Sequence, residues 1–104
     1  MRSGDLEKIF HQSTRMQIMT ELCSIKKEKT FNQIKTACKL TDGNLSRHLS
    51  TLEKAGTIKI TKEFIDSKPQ TSIKVTKLGR DKFISYLSQL EKILAESRKK
   101  LKNN

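Results

Sequence analysis

Between Thr41 and Ala55 the chain reads TDGNLSRHLSTLEKA. Wound at about 100° per residue, this stretch gathers Leu45, Leu49 and Leu52 on one face. Arg47 and Lys54 project from the opposite side, with Gly43 and Ser50 to one flank and Asn44 and Thr51 to the other. Such a helix has an apolar back and a front of amide, hydroxyl and cationic groups. That combination suits reading a duplex major groove. Asn and Arg each form bidentate bonds to base edges, while Ser and Thr reach a base or a phosphate.

Two residues of this segment have two readings each. Gly43 in the first turn costs about 1 kcal/mol relative to Ala. It either lets a DNA backbone or base edge approach the helix N-terminus, or it relieves crowding at the preceding turn. His48 sits at the edge of the apolar face. It is either a boundary histidine with local hydrogen bonds or a phosphate contact. No Cys or carboxylate stands at ligand spacing from it, so a metal role is not expected.

The elements that hold this helix follow from the pattern around it. Asp5 to Phe10 places Leu6, Ile9 and Phe10 on one helical face. A second helix is expected from Ser13 or Thr14, with a capping box of Thr14 and Gln17 and a buried stripe of Ile18, Met19, Leu22 and Cys23. The polar run from Lys26 to Lys29 ends it. Thr30 and Gln33 form another capping box, opening a helix whose apolar positions are Phe31, Ile34 and Cys38. Thr41 or Asp42 caps the candidate recognition helix, 42–55, and Gly56 supplies its left-handed stop.

After Gly56 the period becomes two. Residues 57–62 and 72–76 alternate, and Ile65 to Pro69 reads as the turn of a β-hairpin. The alternation buries Ile58, Ile60, Ile73 and Val75. It leaves Lys59, Lys62 and Lys74 toward solvent and Lys68 at the tip. Such a hairpin is either an ordinary solvated one or a cationic wing for a minor groove or phosphate ridge, and its place directly after the candidate recognition helix favours the wing. Thr76 then caps a final helix, 77–102, about 39 Å long. Phe83, Leu87, Leu90, Leu94 and Leu101 make a heptad-like stripe along it, longer than a small domain covers, which predicts a dimer seam. The expected fold is mainly α with a β-hairpin wing: one winged helix-turn-helix domain over 1–104 with a long C-terminal dimerisation helix.

Composition agrees. Lys and Arg number 22 against 11 Asp and Glu, a formal net charge of +11. Such a field favours a polyanionic partner. The chain has no Trp and only 5% aromatic residues, which argues against a stacking platform for single strands. Two His and two Cys, with no catalytic pairing and no glycine-rich phosphate loop, argue against an enzyme and against a cofactor. Cys23 and Cys38 read as small buried hydrophobes. No apolar run approaches a membrane span, and the start carries no apolar signal region, so a cytoplasmic protein is expected.

The stretch from Leu40 to Leu49, followed by Leu52-Glu53-Lys54-Ala55-Gly56, resembles small single-domain winged-helix transcriptional regulators of the MarR/ArsR-like type. His11-Gln12-Ser13-Thr14-Arg15, Lys68-Pro69-Gln70-Thr71 and Leu78-Gly79-Arg80 extend the resemblance over roughly residues 5–95. It implies a homodimer on pseudo-palindromic double-stranded DNA. It also implies base contacts from Asn44, Ser46 and Arg47, a wing carrying Lys68, and dimerisation through the first and last helices. Arg15 is then a structural arginine or a phosphate contact. The paired cysteines and C-terminal histidines of metal-sensing relatives are absent. The expected DNA-contacting set is Thr41, Gly43, Asn44, Ser46, Arg47, His48, Thr51, Lys54, Lys62, Lys68 and Gln70. The expected dimer seam is Phe83, Leu87, Leu90 and Leu94. Two other uses of such a domain are a protein–protein module and a sequence-neutral chromosomal coat. The charged front of the helix favours a DNA-binding regulator.

Overall fold

The structure, a computed structural model, describes residues 13–24 and 28–103. The expected first helix, 5–10, lies outside the described residues, as do His11 and Gln12. Four helices and three strands follow: α1 (Ser13–Cys23), β1 (Lys29–Thr30), α2 (Phe31–Cys38), α3 (Asp42–Lys54), β2 (Ile58–Ile65), β3 (Lys68–Val75) and α4 (Lys77–Lys102). The order is the expected one, with one addition. Lys29 and Thr30 pair with Ile73 and Ser72, so the sheet has three antiparallel strands in the order β1-β3-β2. The strand covers the edge of β3 that the hairpin alone would leave open. A two-residue strand has no periodicity by which to be recognised.

Local chemistry sets most boundaries. The Thr30 and Gln33 capping box forms as expected, with both reciprocal bonds present. α1 begins at Ser13, so Thr14 lies inside its first turn and is not its cap. Between α2 and α3 the chain reverses at Lys39, a left-handed residue with φ 54°. Its N–H and that of Leu40 close the exposed carbonyls of α2, the Leu40 bond to Lys35 measuring 3.0 Å. Gly56 stops α3 with φ 78°, as its position predicts.

The core is built where these elements meet. Ile18, Met19 and Leu22 of α1, Ile34 of α2 and Leu45, Leu49 and Leu52 of α3 pack with Ile58, Ile73 and Phe83. Fully burying each such side chain stabilises the fold by about 1.5–3 kcal/mol. Ile60 and Val75 are only half-buried, because β2 and β3 run off the edge of the core.

The hairpin is longer and its turn tighter than the alternation suggested. Ile65 pairs with Lys68 and Phe64 with Pro69, so only Asp66 and Ser67 form the turn. Both are left-handed, φ 53° and 65°, the twist a two-residue hairpin needs. Lys68 is therefore the first residue of β3 rather than the tip, and Pro69 is a strand residue.

The stripe of α4 divides in two. Phe83 is 3% exposed and closes the domain's own core, and Leu87 packs against that core. This part of the expected seam is thus turned inward. Beyond Leu90 every described residue of α4 is exposed, including Ile93 at 56% and Leu94 at 45%.

Candidate functional site

α3 is held from behind and open in front. Thr41 caps it, its Oγ1 accepting from the Asn44 N–H at 3.2 Å. Gly43, Asn44, Ser46, Arg47, Ser50 and Lys54 are exposed. The Thr51 hydroxyl donates to the Arg47 carbonyl at 3.2 Å, which leaves its oxygen to accept a further bond. A Cβ added at Gly43 would meet nothing within 4 Å. The reading of Gly43 as relief of crowding therefore fails, and an open approach to the first turn remains.

His48 is half-buried on the flank nearer α1. Burial holds its pKa below the ordinary 6.5, and the charges of Arg15 and Arg47 lower it further. Around neutrality it is an uncharged imidazole under the influence of two guanidinium groups. The Arg15 Nε is buried and has no hydrogen-bond partner. Arg80 Nη1 donates to the Cys23 carbonyl at 3.2 Å, tying α4 to the end of α1. Cys23 and Cys38 are free, and burial raises the pKa of both thiols.

The opposite flank of α3 faces the wing across a hollow of 450 Å³, whose lining includes Ser46, Ser50, Ile60, Lys62 and Thr71. Two carboxylates also line it, and both are engaged. Asp42 pairs with Lys35 at 2.7 Å, and Glu53 Oε2 accepts the Ile60 N–H at 3.3 Å. The second bond fixes the root of the wing to α3. The remaining polar groups of the hollow are hydroxyls and one ammonium, a set suited to a phosphate oxygen.

Strand alternation then corrects the expected wing. Ile58, Ile60, Lys62 and Phe64 share one face of β2, opposite Val75, Ile73, Thr71 and Pro69. Lys62 therefore lies on the α3 side, not on the solvent side with Lys59 and Lys74. Lys68 and Gln70 are on the other face of the hairpin. The three expected wing contacts are split, and only Lys62 joins the hollow. Sequence reasoning missed Phe64, although it continues the same alternation two residues past Lys62.

A knot of hydrogen bonds joins α3, the wing and α4. The Thr57 hydroxyl donates to the Leu52 carbonyl at 2.8 Å, and the Thr57 carbonyl accepts the Thr76 N–H at 3.0 Å. The Thr76 hydroxyl donates to the Gly56 carbonyl at 2.7 Å and accepts the Gly79 N–H at 2.9 Å. Among the described residues no cluster of His, Cys, Asp or Glu is placed to hold a metal ion. No described helix is long and apolar enough to cross a membrane.

Residues 14–94 match the family model of the winged helix DNA-binding domain. The chain belongs to that family. An uncharacterized protein of Methanocaldococcus jannaschii is 36% identical over 83 residues, which span 80% of this chain and 89% of that one. A solved transcriptional regulator homologue from Pyrococcus horikoshii superposes with a TM-score of 0.79 at 30% identity, covering 86% of this winged helix and 87% of that chain. A MarR-family protein of Porphyromonas gingivalis superposes with a TM-score of 0.67 at 20% identity, covering 86% and 85%. The winged helix is of the MarR type in fold, with four described helices, a three-stranded wing sheet and a long C-terminal helix.

Proposed function

We propose that this protein is a single-domain transcriptional regulator that binds specific double-stranded DNA as a homodimer in the cytoplasm. It acts by binding and not by catalysis. α3 enters the major groove, and the hollow beside it seats the phosphate ridge. The wing then reaches the backbone and minor groove. The observation that carries this reading is the division of α3. Its leucines are buried, while Asn44, Arg47 and Lys54 stand exposed on a chain of net charge +11. A face with those groups reads base edges.

The homodimer rests on α4. Its apolar stripe continues past the core as Leu94 and Leu101, flanked by Ile93. A solitary helical extension is marginal in water, and pairing with a second copy would cover the stripe. Two copies related by a two-fold axis would present two α3 helices to half-sites about one helical turn apart.

The test is an unbiased selection of duplexes bound by the purified protein. An inverted repeat is the expected recovery. Binding without enrichment would replace the reading with a sequence-neutral coat. No binding at low salt would leave a protein–protein module.

A further inference from the structure

The wing carries an apolar group where solvation would favour a polar one. Phe64 is 79% exposed, the largest exposure among the described large hydrophobic residues. It does not belong to the core, which the hairpin leaves after Ile60. The pleat places Phe64 on the same face as Ile60 and Lys62, four residues beyond Ile60, or about 13 Å farther out. Its cross-strand partner is Pro69, beside it on the same face, and the proline stiffens the neighbouring strand. The tight turn at Asp66 and Ser67 follows within two residues. The aromatic ring thus stands near the end of a short, paired ribbon.

Its surroundings favour a polyanion. Lys62 shares its face, and Lys68 lies one register step away on the other side. Glu63 also points to that other side, and Asp66 is in the turn. Between Ile58 and Val75 there are four lysines against these two carboxylates. Between Phe64 and α3 lies the hollow lined by hydroxyls, Lys62 and the engaged carboxylates of Asp42 and Glu53. With α3 in one groove and the ridge in the hollow, the next surface outward is the neighbouring minor groove.

We propose that Phe64, flanked by Pro69, is an apolar wedge that enters the minor groove beside the site read by α3 and opens a base step there. The inference rests on the DNA-binding reading above and adds a specificity determinant to it. Apolar side chains inserted between base steps kink a duplex, and pyrimidine–purine steps yield most easily. Selectivity would therefore extend to flanking steps whose bases make no hydrogen bond to the protein.

The experiment uses a duplex recovered by selection, with 2-aminopurine at each flanking step in turn and a donor–acceptor pair on its ends. Wild type should raise the 2-aminopurine fluorescence at one flanking step and shorten the end-to-end distance. Phe64→Ala should abolish both signals and weaken binding about tenfold or more, as expected for losing a buried aromatic contact. Its salt dependence should be unchanged, because no charge is removed. Phe64→Leu should retain part of the bend. Thermal unfolding of the free variants checks that the fold is intact, as the high exposure of Phe64 predicts. If Phe64→Ala bends and binds the duplex like wild type, the wedge is overturned while DNA binding stands. If wild type binds no duplex, the underlying reading fails instead. If Phe64→Ala changes only the sedimentation of the free protein, the ring contacts a second copy and the wedge is again overturned.

Discussion

Gly79 lies with its Cα turned into the backbone of Thr57, so closely that a Cβ there would fall on the Thr57 carbonyl group. The contact brings the first turn of α4 against the junction of α3 and the wing. Backbone cannot move aside as a flexible side chain can. Gly79→Ala should therefore destabilise the fold by about 1–3 kcal/mol, as overpacking does. For a domain of this size that is about 4–8 °C in Tm per kcal/mol. Thermal denaturation checks it, and an unchanged Tm would show that α4 can pivot at this point.

Arg47 projects from the middle of the open face of α3, and its guanidinium matches both acceptors of a guanine. Arg47→Ala should cost about 1–3 kcal/mol and relax preference at one position per half-site. Lys62 faces the hollow and offers a point charge to a phosphate. Its replacement by Ala should weaken all sequences alike and make the salt slope shallower by about one unit per lysine. Titrations of single-base operator variants at two salt concentrations separate the two behaviours. Swapped outcomes would mean that Arg47 positions the protein and the wing reads bases.

The division of α4 selects the variant that tests the proposed dimer seam. Leu87 packs on the protomer's own core, so a charge there would damage the fold as well as any interface. Ile93 and Leu94 are exposed in the protomer. The double variant Ile93→Glu with Leu94→Glu should keep its thermal stability at low protein concentration and sediment as a monomer with weakened operator binding. A double variant that remains dimeric would move the interface elsewhere.

His48 links stability to pH. Its pKa is lowered in the folded state by burial, by Arg15 and by Arg47. Well above pH 6.5 both folded and unfolded chains hold it neutral, and it contributes no pH dependence. As pH falls through 6.5 the unfolded chain takes up the proton first, so stability declines until the folded pKa is passed. His48→Gln should remove this part of the acid-side decline. Between urea midpoints measured on either side of pH 6.5, the wild-type protein should lose more stability toward acid than His48→Gln does. Parallel curves would show that neither burial nor the two arginines lowers the histidine's pKa.

Much of this molecule was legible from sequence because its signals are local. Capping by Thr30, Thr41 and Thr76 depends on a hydroxyl and an N–H three residues away. The stop at Gly56 depends on one φ angle, and the leucine face of α3 on its helical period. These fix the helices, the hairpin and the face on which Asn44 and Arg47 stand. The tertiary structure decided what lies between elements. That Phe83 turns inward while Leu94 does not depends on where α4 leaves the core, since both occupy the same stripe. That Lys62 and Lys68 lie on opposite faces depends on the pairing register, which a tighter turn at Asp66 and Ser67 sets. Asp42 and Glu53 carry negative charge on the helix that bears Arg47 and Lys54. Lys35 and the Ile60 N–H neutralise or engage them only because α2 and β2 are folded against α3. Gly79 entered the sequence reading only through the resemblance, because the backbone of Thr57, which occupies the space its side chain would need, is distant along the chain.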